Sequence, residues 1–274
     1  ALMIDLTERM AAEQKLQERE TILSAITDSA HDAIVMLDGQ GAVVFWNPAA
    51  EHLFGYSREE ILGQELHQLV VPNEKLYQTH KKAFCQFQLT GEGNLVGKTV
   101  EIKGRHKEGQ EIYVEVSLSG LKVNDDWHAV GILRDIGERK KMEERLYRLS
   151  ITDPLTNVYN RRFFMQMLEW EIGRTRRTGR IFSLVMLDLD HFKNVNDRFG
   201  HAAGDLVLKT VARAISNRMR KTDILARWGG EEFVILLPET AEKNATCFAK
   251  ALCANVASLI IPEVGRVTAS FGVT

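Results

Sequence analysis

Basic residues are not in excess, long apolar runs are absent and cysteine is scarce, and each shortage removes a class of function. With 35 Lys and Arg against 37 Asp and Glu, the formal charge is -2. That is too little positive charge to track a phosphate backbone, so no nucleic-acid partner is expected. The longest nearly apolar stretch, Ile181 to Leu187 with Ser183 inside it, is about seven residues, against the roughly eighteen a membrane span needs. No secretory signal opens the chain, and no membrane association is expected of this stretch itself. Cys85, Cys247 and Cys253 lack CxxC spacing and sit among apolar residues that read as helix faces. Buried free thiols in a reducing cytoplasm are the expectation.

What is present is an ordinary balance of 45% hydrophobic and 26% charged residues, which suits a soluble globular protein and not a disordered or fibrous one. A length of 274 residues exceeds one ordinary core and predicts two, with a linker between them. An internal echo marks the joints: Asp5-Leu6-Thr7-Glu8-Arg9 returns as Asp135-Ile136-Gly137-Glu138-Arg139, each time read as a strand end feeding a charged helix. After the second copy, Met142, Leu146 and Leu149 form a narrow apolar stripe at four-three spacing. Such a stripe pairs with its own copy in a coiled coil; a solvated connector is the other reading.

Between the echoes, Ala33 to Leu37 and Ala42 to Trp46 read as strands around the turn Asp38-Gly39-Gln40-Gly41, and Asn47-Pro48 supplies a helix cap and first-turn proline. Ser57 with Glu60 makes a capping box for a short helix stopped by Gly63. A longer helix near Glu74 to Leu89 precedes strands near Val96 to Arg105, Glu111 to Leu121 and Trp127 to Asp135. One antiparallel sheet with helices on one face is the economical arrangement. On the run DGQGAVVFWNPAAEHLFGYSREEILGQ and the closing GILRDIGER, residues 21–138 resemble a PAS domain. The resemblance implies a sensor container whose fold does not name its ligand. DLTER looks like the same ending, so residues 1–20 are expected to be a signalling helix that closes a preceding domain. The natural protein would then be longer, and any membrane tether would lie in its missing part.

The stretch YQTHKKAFCQFQLTGEG around His80 is similar in spacing to the haem-PAS oxygen sensors, where a histidine ten residues before a Thr-Gly pair ligates iron. Neutral imidazole is an ordinary haem ligand. The same spacing occurs in PAS domains without haem, and the distal arginine of those sensors has no counterpart here. A partly exposed helix histidine is the other reading.

From Ile181 onward the elements read strand (Phe182 to Leu187), loop, helix (Gly204 to Met219), strand (Ile224 to Trp228), the turn Gly229-Gly230, strand (Phe233 to Leu237), helix around Phe248 to Leu259, and strand (Arg266 to Val273). This is the β-α-β-β-α-β order of a ferredoxin-like sheet, in which the third strand lies antiparallel between the first two. Asp188 and Asp190 leave the first strand where Glu231 and Glu232 enter the third, so these carboxylates are expected to converge. Clustered carboxylates repel unless a cation sits among them. Hard oxygen ligands with open positions suit Mg²⁺ shared with substrate phosphates, and two such ions suit an in-line displacement. Gly229 and Gly230 let a nucleoside triphosphate approach the hairpin, with Lys193 and the amides of His191 and Phe192 placed for its terminal phosphates.

LDLDHFKNVNDRFGHAAGD at 187–205, RWGGEEF at 227–233 and DPLTNVYNRR at 153–162 resemble the signature segments of the GGDEF family of diguanylate cyclases, over residues 150–274. The resemblance implies condensation of two GTP to cyclic di-GMP and two pyrophosphates, with Mg²⁺ at two positions per site and Mn²⁺ as an alternative. By that match Asp188 and Glu231 are metal ligands, assisted by the Leu189 carbonyl and Glu232, and Glu231 aids deprotonation of the 3′-hydroxyl. Asn196 and Asp205 match guanine-contacting positions, and Arg220 with Asp223 matches the RxxD inhibitory product site. One GTP per domain implies a homodimer with facing sites. The chain stops at Phe271-Gly272-Val273-Thr274, before the basic segment with which the resemblance implies family members hold the triphosphate, so the parent is more safely read as a cyclase than this fragment, whose turnover stays open. A non-catalytic module binding GTP or cyclic di-GMP, and a cyclase of other base specificity, are the alternatives. The expected fold is α+β throughout: an N-terminal helix (1–20), a PAS sheet domain (21–138), a helical linker (139–152) and a ferredoxin-like cyclase domain incomplete at its C-terminus (153–274).

Overall fold

The computed structural model describes residues 9–71 and 78–274 in full, and residues 2–8 and 74–77 by backbone alone. The chain folds as two compact units, residues 1–142 and 143–274.

The first unit opens with helix α1 (Leu2–Ser29), so the first DLTER copy lies inside a helix and not at a strand end. Strands β1 (Ala33–Leu37) and β2 (Val43–Trp46) follow, then short helices α2 (Pro48–Phe54), α3 (Arg58–Ile61) and α4 (Leu66–Val70), and the longer α5 (Glu74–Thr90). Strands β3 (Thr99–Arg105), β4 (Glu111–Val123) and β5 (Asp126–Asp135) complete an antiparallel sheet of order β2-β1-β5-β4-β3. The local signals act as expected. The Asp38 carboxylate accepts from the amides of Gln40 and Ala42 and shapes the first turn, and Ser57 and Glu60 close their capping box. Val35 and Leu37 alternate inward to meet Trp46, Phe54, Ile61, Val114 and Val116, each side chain contributing about 1.5–3 kcal/mol by leaving water.

Asn47 is 1% exposed and fully engaged. Its Oδ1 accepts from the amides of Ile34 (2.8 Å) and Ala50 (3.0 Å), which caps α2. Its Nδ2 donates to the carbonyls of Thr27 (3.0 Å) and Asp32 (3.1 Å). A forked ion pair from Arg134 to Asp32 joins the end of β5 to the segment after α1.

Helix α6 (Gly137–Ile151) follows, and the second unit adds β6 (Tyr159–Asn160), α7 (Arg161–Thr178), β7 (Phe182–Leu189), α8 (Phe192–Phe199), α9 (His201–Ser216), β8 (Ile224–Gly229), β9 (Glu232–Pro238), α10 (Glu242–Ser258) and β10 (Ala269–Val273). The sheet order is β10-β7-β9-β8-β6, with β9 antiparallel to both neighbours. This is the ferredoxin-like arrangement expected, extended by β6 at one edge. Phe233, Ile235 and Leu237 of β9 pack with Val207, Val211, Ile215, Leu252 and Val256 of α9 and α10. Val234 and Leu236 on the other face meet Phe164 of α7. Burial on both faces explains why β9 is an unbroken apolar run.

Two expectations fail. The stretch after β7 is helical, not a loop, because Phe192 and Val195 give α8 an apolar side that joins the core. The three cysteines are exposed free thiols, not buried ones. They flank the inward stripe of their helices, as Cys253 does beside the buried Leu252.

Candidate active site

The β7–β9 register decides which acids can meet. Asp188 stands opposite Glu232 in the cross-strand pairing, so their Cα atoms are about 4.5–5.5 Å apart. Alternation along β7 buries Leu187 and Leu189 on one face and leaves Asp188 on the other. Glu231 occupies the loop between β8 and β9 with Gly230, whose φ of 49° is left-handed. Asp188 and Glu231 therefore lie at the same end of the sheet. Around Gly229 and Gly230 there is open space, with nothing within 4 Å of an added Cβ.

The convergence is narrower than four carboxylates. Asp190 is taken up by the hydroxyls of Thr268 (2.6 Å) and Ser270 (2.7 Å), which hold its carboxyl below the usual range. The neighbouring β10 segment supplies those hydroxyls and draws Asp190 away. Among the described residues no group of three or more acidic, histidine or cysteine side chains is assembled as a metal cage. The donor set is two strand-end carboxylates and Glu231, with the Leu189 carbonyl adjacent. Its chemistry fits a hard cation that takes its remaining ligands from water and phosphate.

Phe192 is buried and Lys193 exposed at the start of α8. His191 precedes them in the left-handed conformation (φ 56°) and makes no side-chain cap, so the first amides of α8 have no side-chain acceptor. Asn196 is half-buried near the end of α8, and Asp205 is exposed in the second turn of α9. Arg220 is exposed, and its amide donates to Asp223 Oδ2 (2.8 Å), which shapes the turn before β8.

Sequence reasoning gave no role to Arg227 or Asp153, yet together they brace the glycine turn. Arg227 donates through Nε and Nη2 to the Gly230 carbonyl (2.9 and 2.7 Å) and through Nη1 to Asp153 (3.2 and 3.3 Å). Partial burial opposes ionisation of Asp153, but the Thr156 hydroxyl and amide together with Arg227 overcome it and hold the carboxyl low. The signal was an arginine two residues before the glycine turn, with an acid heading the DPLT segment. The Arg161 guanidinium also lies 4.3 Å from the centre of the Trp228 ring, beside the same turn.

A family model described as diguanylate cyclase, GGDEF domain, matches residues 150–274, which contain this hairpin. The second unit is a GGDEF domain. A second model, the PAS fold, matches residues 21–136. Around this GGDEF domain the chain is 30% identical over 265 residues to the diguanylate cyclase DgcM of Escherichia coli K12, covering 90% of this chain and 59% of that protein. Over 128 residues, 46% of this chain and 19% of the relative, it is 43% identical to the diguanylate cyclase DgcP of Pseudomonas aeruginosa. The chain thus spans less than two thirds of these relatives' length. Among solved structures, the diguanylate cyclase SiaD of Pseudomonas aeruginosa, in complex with its activator SiaC, aligns with 41% identity over 50% of this chain and 54% of that one, at a TM-score of 0.46.

In the PAS unit, a cavity of about 370 Å³ is lined by apolar side chains, among them Leu37, Phe84, Val114 and Leu133, and by His67 and His80. The two imidazole rings meet edge to face at 5.7 Å. Burial, with a smaller contribution from His80, lowers the pKa of His67 to about 4, and burial lowers that of His80. Both rings are neutral at pH 7, a form able to accept a hydrogen bond or ligate iron. No helix among the described residues is long and apolar enough to cross a membrane.

Proposed function

We propose that the protein condenses two GTP into cyclic di-GMP and two pyrophosphates in the cytoplasm, under the control of its PAS unit. The reading rests on Asp188 facing Glu232 across the β7–β9 pair, beside a glycine turn with open space around it. Mg²⁺ ions, or Mn²⁺ in their place, would be held by Asp188, Glu231, Glu232 and the Leu189 carbonyl, and when bound they neutralise charge on the triphosphate and the attacking oxygen. Glu231 accepts the proton of the 3′-hydroxyl. The freed oxygen forms a bond to the α-phosphorus of the facing GTP as the bond to pyrophosphate breaks, and pyrophosphate departs with the electron pair. Lys193 and the first amides of α8, at Phe192, hold the terminal phosphates. Asp205 accepts from the N1 and N2 hydrogens of guanine, which adenine lacks, and Asn196 donates to the same base.

Each domain seats one GTP, so turnover needs two copies facing each other. Met142, Leu146 and Leu149 on α6 are 56%, 59% and 59% exposed, an apolar stripe free to pair with its copy in a coiled coil. A change in the PAS core would alter that pairing and with it the time the cyclase domains face each other. His80 as a haem ligand in the PAS cavity predicts a Soret band that His80→Ala removes; colourless protein expressed with haem supply would end that idea. Arg220 and Asp223 are the product-inhibition site, so Arg220→Ala would abolish inhibition by added cyclic di-GMP.

The test is incubation of the full-length protein with GTP or ATP and Mg²⁺, with products identified by mass. Cyclic di-GMP from GTP alone, lost at least a hundredfold in Asp188→Asn, is expected from removal of a charge-stabilising ligand, worth roughly 3 kcal/mol or more. GTP binding without turnover would favour the non-catalytic module instead.

A further inference from the structure

Helices α8 and α9 meet at a single residue, Gly200, whose backbone (φ 84°, ψ 161°) lies in a region that is essentially reserved for glycine. The corner brings α8 back onto the start of α9, where Gly204 is buried against it. A Cβ placed on Gly204 would stand 2.0 Å from Asn196 Oδ1, 3.0 Å from its Cγ and 3.2 Å from Phe192 Cζ. No backbone requirement calls for glycine at this position. Gly204 has no positive φ and sits within α9, where glycine weakens a helix relative to alanine. What the missing side chain does is leave room for the Asn196 amide.

We propose that Gly204 is a specificity-determining positioning residue: by lacking a Cβ it seats the Asn196 amide against α9, one residue from Asp205, and so fixes the two groups that read the purine. This rests on the reading of Asn196 and Asp205 as base contacts. The Oδ1 end of the amide lies over Gly204, and among the described residues Nδ2 has no hydrogen-bond partner, so it is free to donate to an acceptor on the base. A donor and a carboxylate acceptor held side by side match the guanine edge. The adenine edge, with an acceptor at N1, faces the carboxylate unfavourably. A methyl group at Gly204 displaces the amide from this seat, and the ring of Phe192, packed in the core, stands 3.2 Å from the same point.

The test uses Gly204→Ala, Asn196→Ala and the double variant in the full chain, with two readouts. In nucleotide binding, Gly204→Ala is expected to weaken GTP about tenfold, the loss of one well-placed hydrogen bond, while ATP changes less than twofold. The double variant should bind GTP as Asn196→Ala does alone. In thermal unfolding without nucleotide, Gly204→Ala should lower the midpoint in the native background and raise it in the Asn196→Ala background, where the methyl has room and alanine favours the helix. Unchanged GTP affinity in Gly204→Ala, or losses that add in the double variant, would overturn the assignment. A lowered midpoint in both backgrounds would also overturn it, leaving Gly204 as a packing position against Phe192. Equal binding of GTP and ATP by the unsubstituted chain would refute the base-reading roles and the specificity assignment together, and the reversed thermal effect would then show that the seat exists for another purpose.

Discussion

Exchange of Arg227 for lysine tests whether the glycine turn is held by its arginine. The guanidinium reaches the Gly230 carbonyl with two donors and Asp153 with a third. A lysine ammonium on a flexible stem can meet one of these partners but not both in a fixed plane. The paired side chains are 18% and 17% exposed, so solvent screens them only in part. Loss of two charge-assisted hydrogen bonds at about 1–1.5 kcal/mol net each gives roughly 2–3 kcal/mol. For a domain of this size each kcal/mol moves the melting midpoint by about 3–5 °C, so the GGDEF transition should fall by roughly 6–15 °C in calorimetry. Asp153→Asn should cost about half as much, since its remaining oxygen still serves Thr156, and should absorb most of the Arg227→Lys effect in a double-mutant cycle. The folded carboxyl titrates below its unfolded value. Its contribution is therefore complete above the unfolded pKa of about 3.9 and is lost as acid carries the pH down through the lower folded value. A midpoint within about 1 °C of the original in Arg227→Lys, or full additivity in the cycle, would show that the brace carries no energy.

Gly200→Ala forces a side chain into a glycine-only conformation and should destabilise the GGDEF domain by about 1–3 kcal/mol, read by urea titration. Asn47→Ala leaves buried amides and carbonyls without their partner and should cost the PAS unit about 2–4 kcal/mol by the same assay. His67 titrates near pH 4 when folded and near 6.5 when unfolded. Its contribution to stability should be full above pH 6.5 and decline as pH falls toward 4, and a proton-NMR midpoint near 6.5 in the folded protein would contradict the buried site.

The antiparallel character of the first sheet, and the order of the second apart from β6, are legible because local signals and tertiary packing agree. The Asn47-Pro48 start, the Ser57–Glu60 box and the apolar run of β9 each name an element that then packs where its pattern points. Strand order alone puts Asp188 and Glu232 at the same end of neighbouring strands; that they stand directly opposite is set by the register. Helix α8 is hard to read because its apolar positions, Phe192, Val195 and Phe199, keep helical spacing over only eight residues, among which five are polar. The diversion of Asp190 escapes the sequence because the Thr268 and Ser270 hydroxyls, before and on β10, reach it from about eighty residues away, beyond any local pattern. Gly204 and Arg227 lay in plain view inside signature segments, but their roles depend on what stands opposite them, which spacing does not disclose. The exposed cysteines show the opposite limit: apolar neighbours in sequence are not neighbours in space, because a helix turns each successive residue by about a quarter circle or more.

Asn47 is the same side chain that starts α2 and holds the Thr27 carbonyl near the end of α1. A ligand that shifted the start of α2 would also pull on the N-terminal helix through one amide group, with no intervening residue to absorb the movement. The fold thus gives α1 a direct mechanical line into the core of the PAS unit.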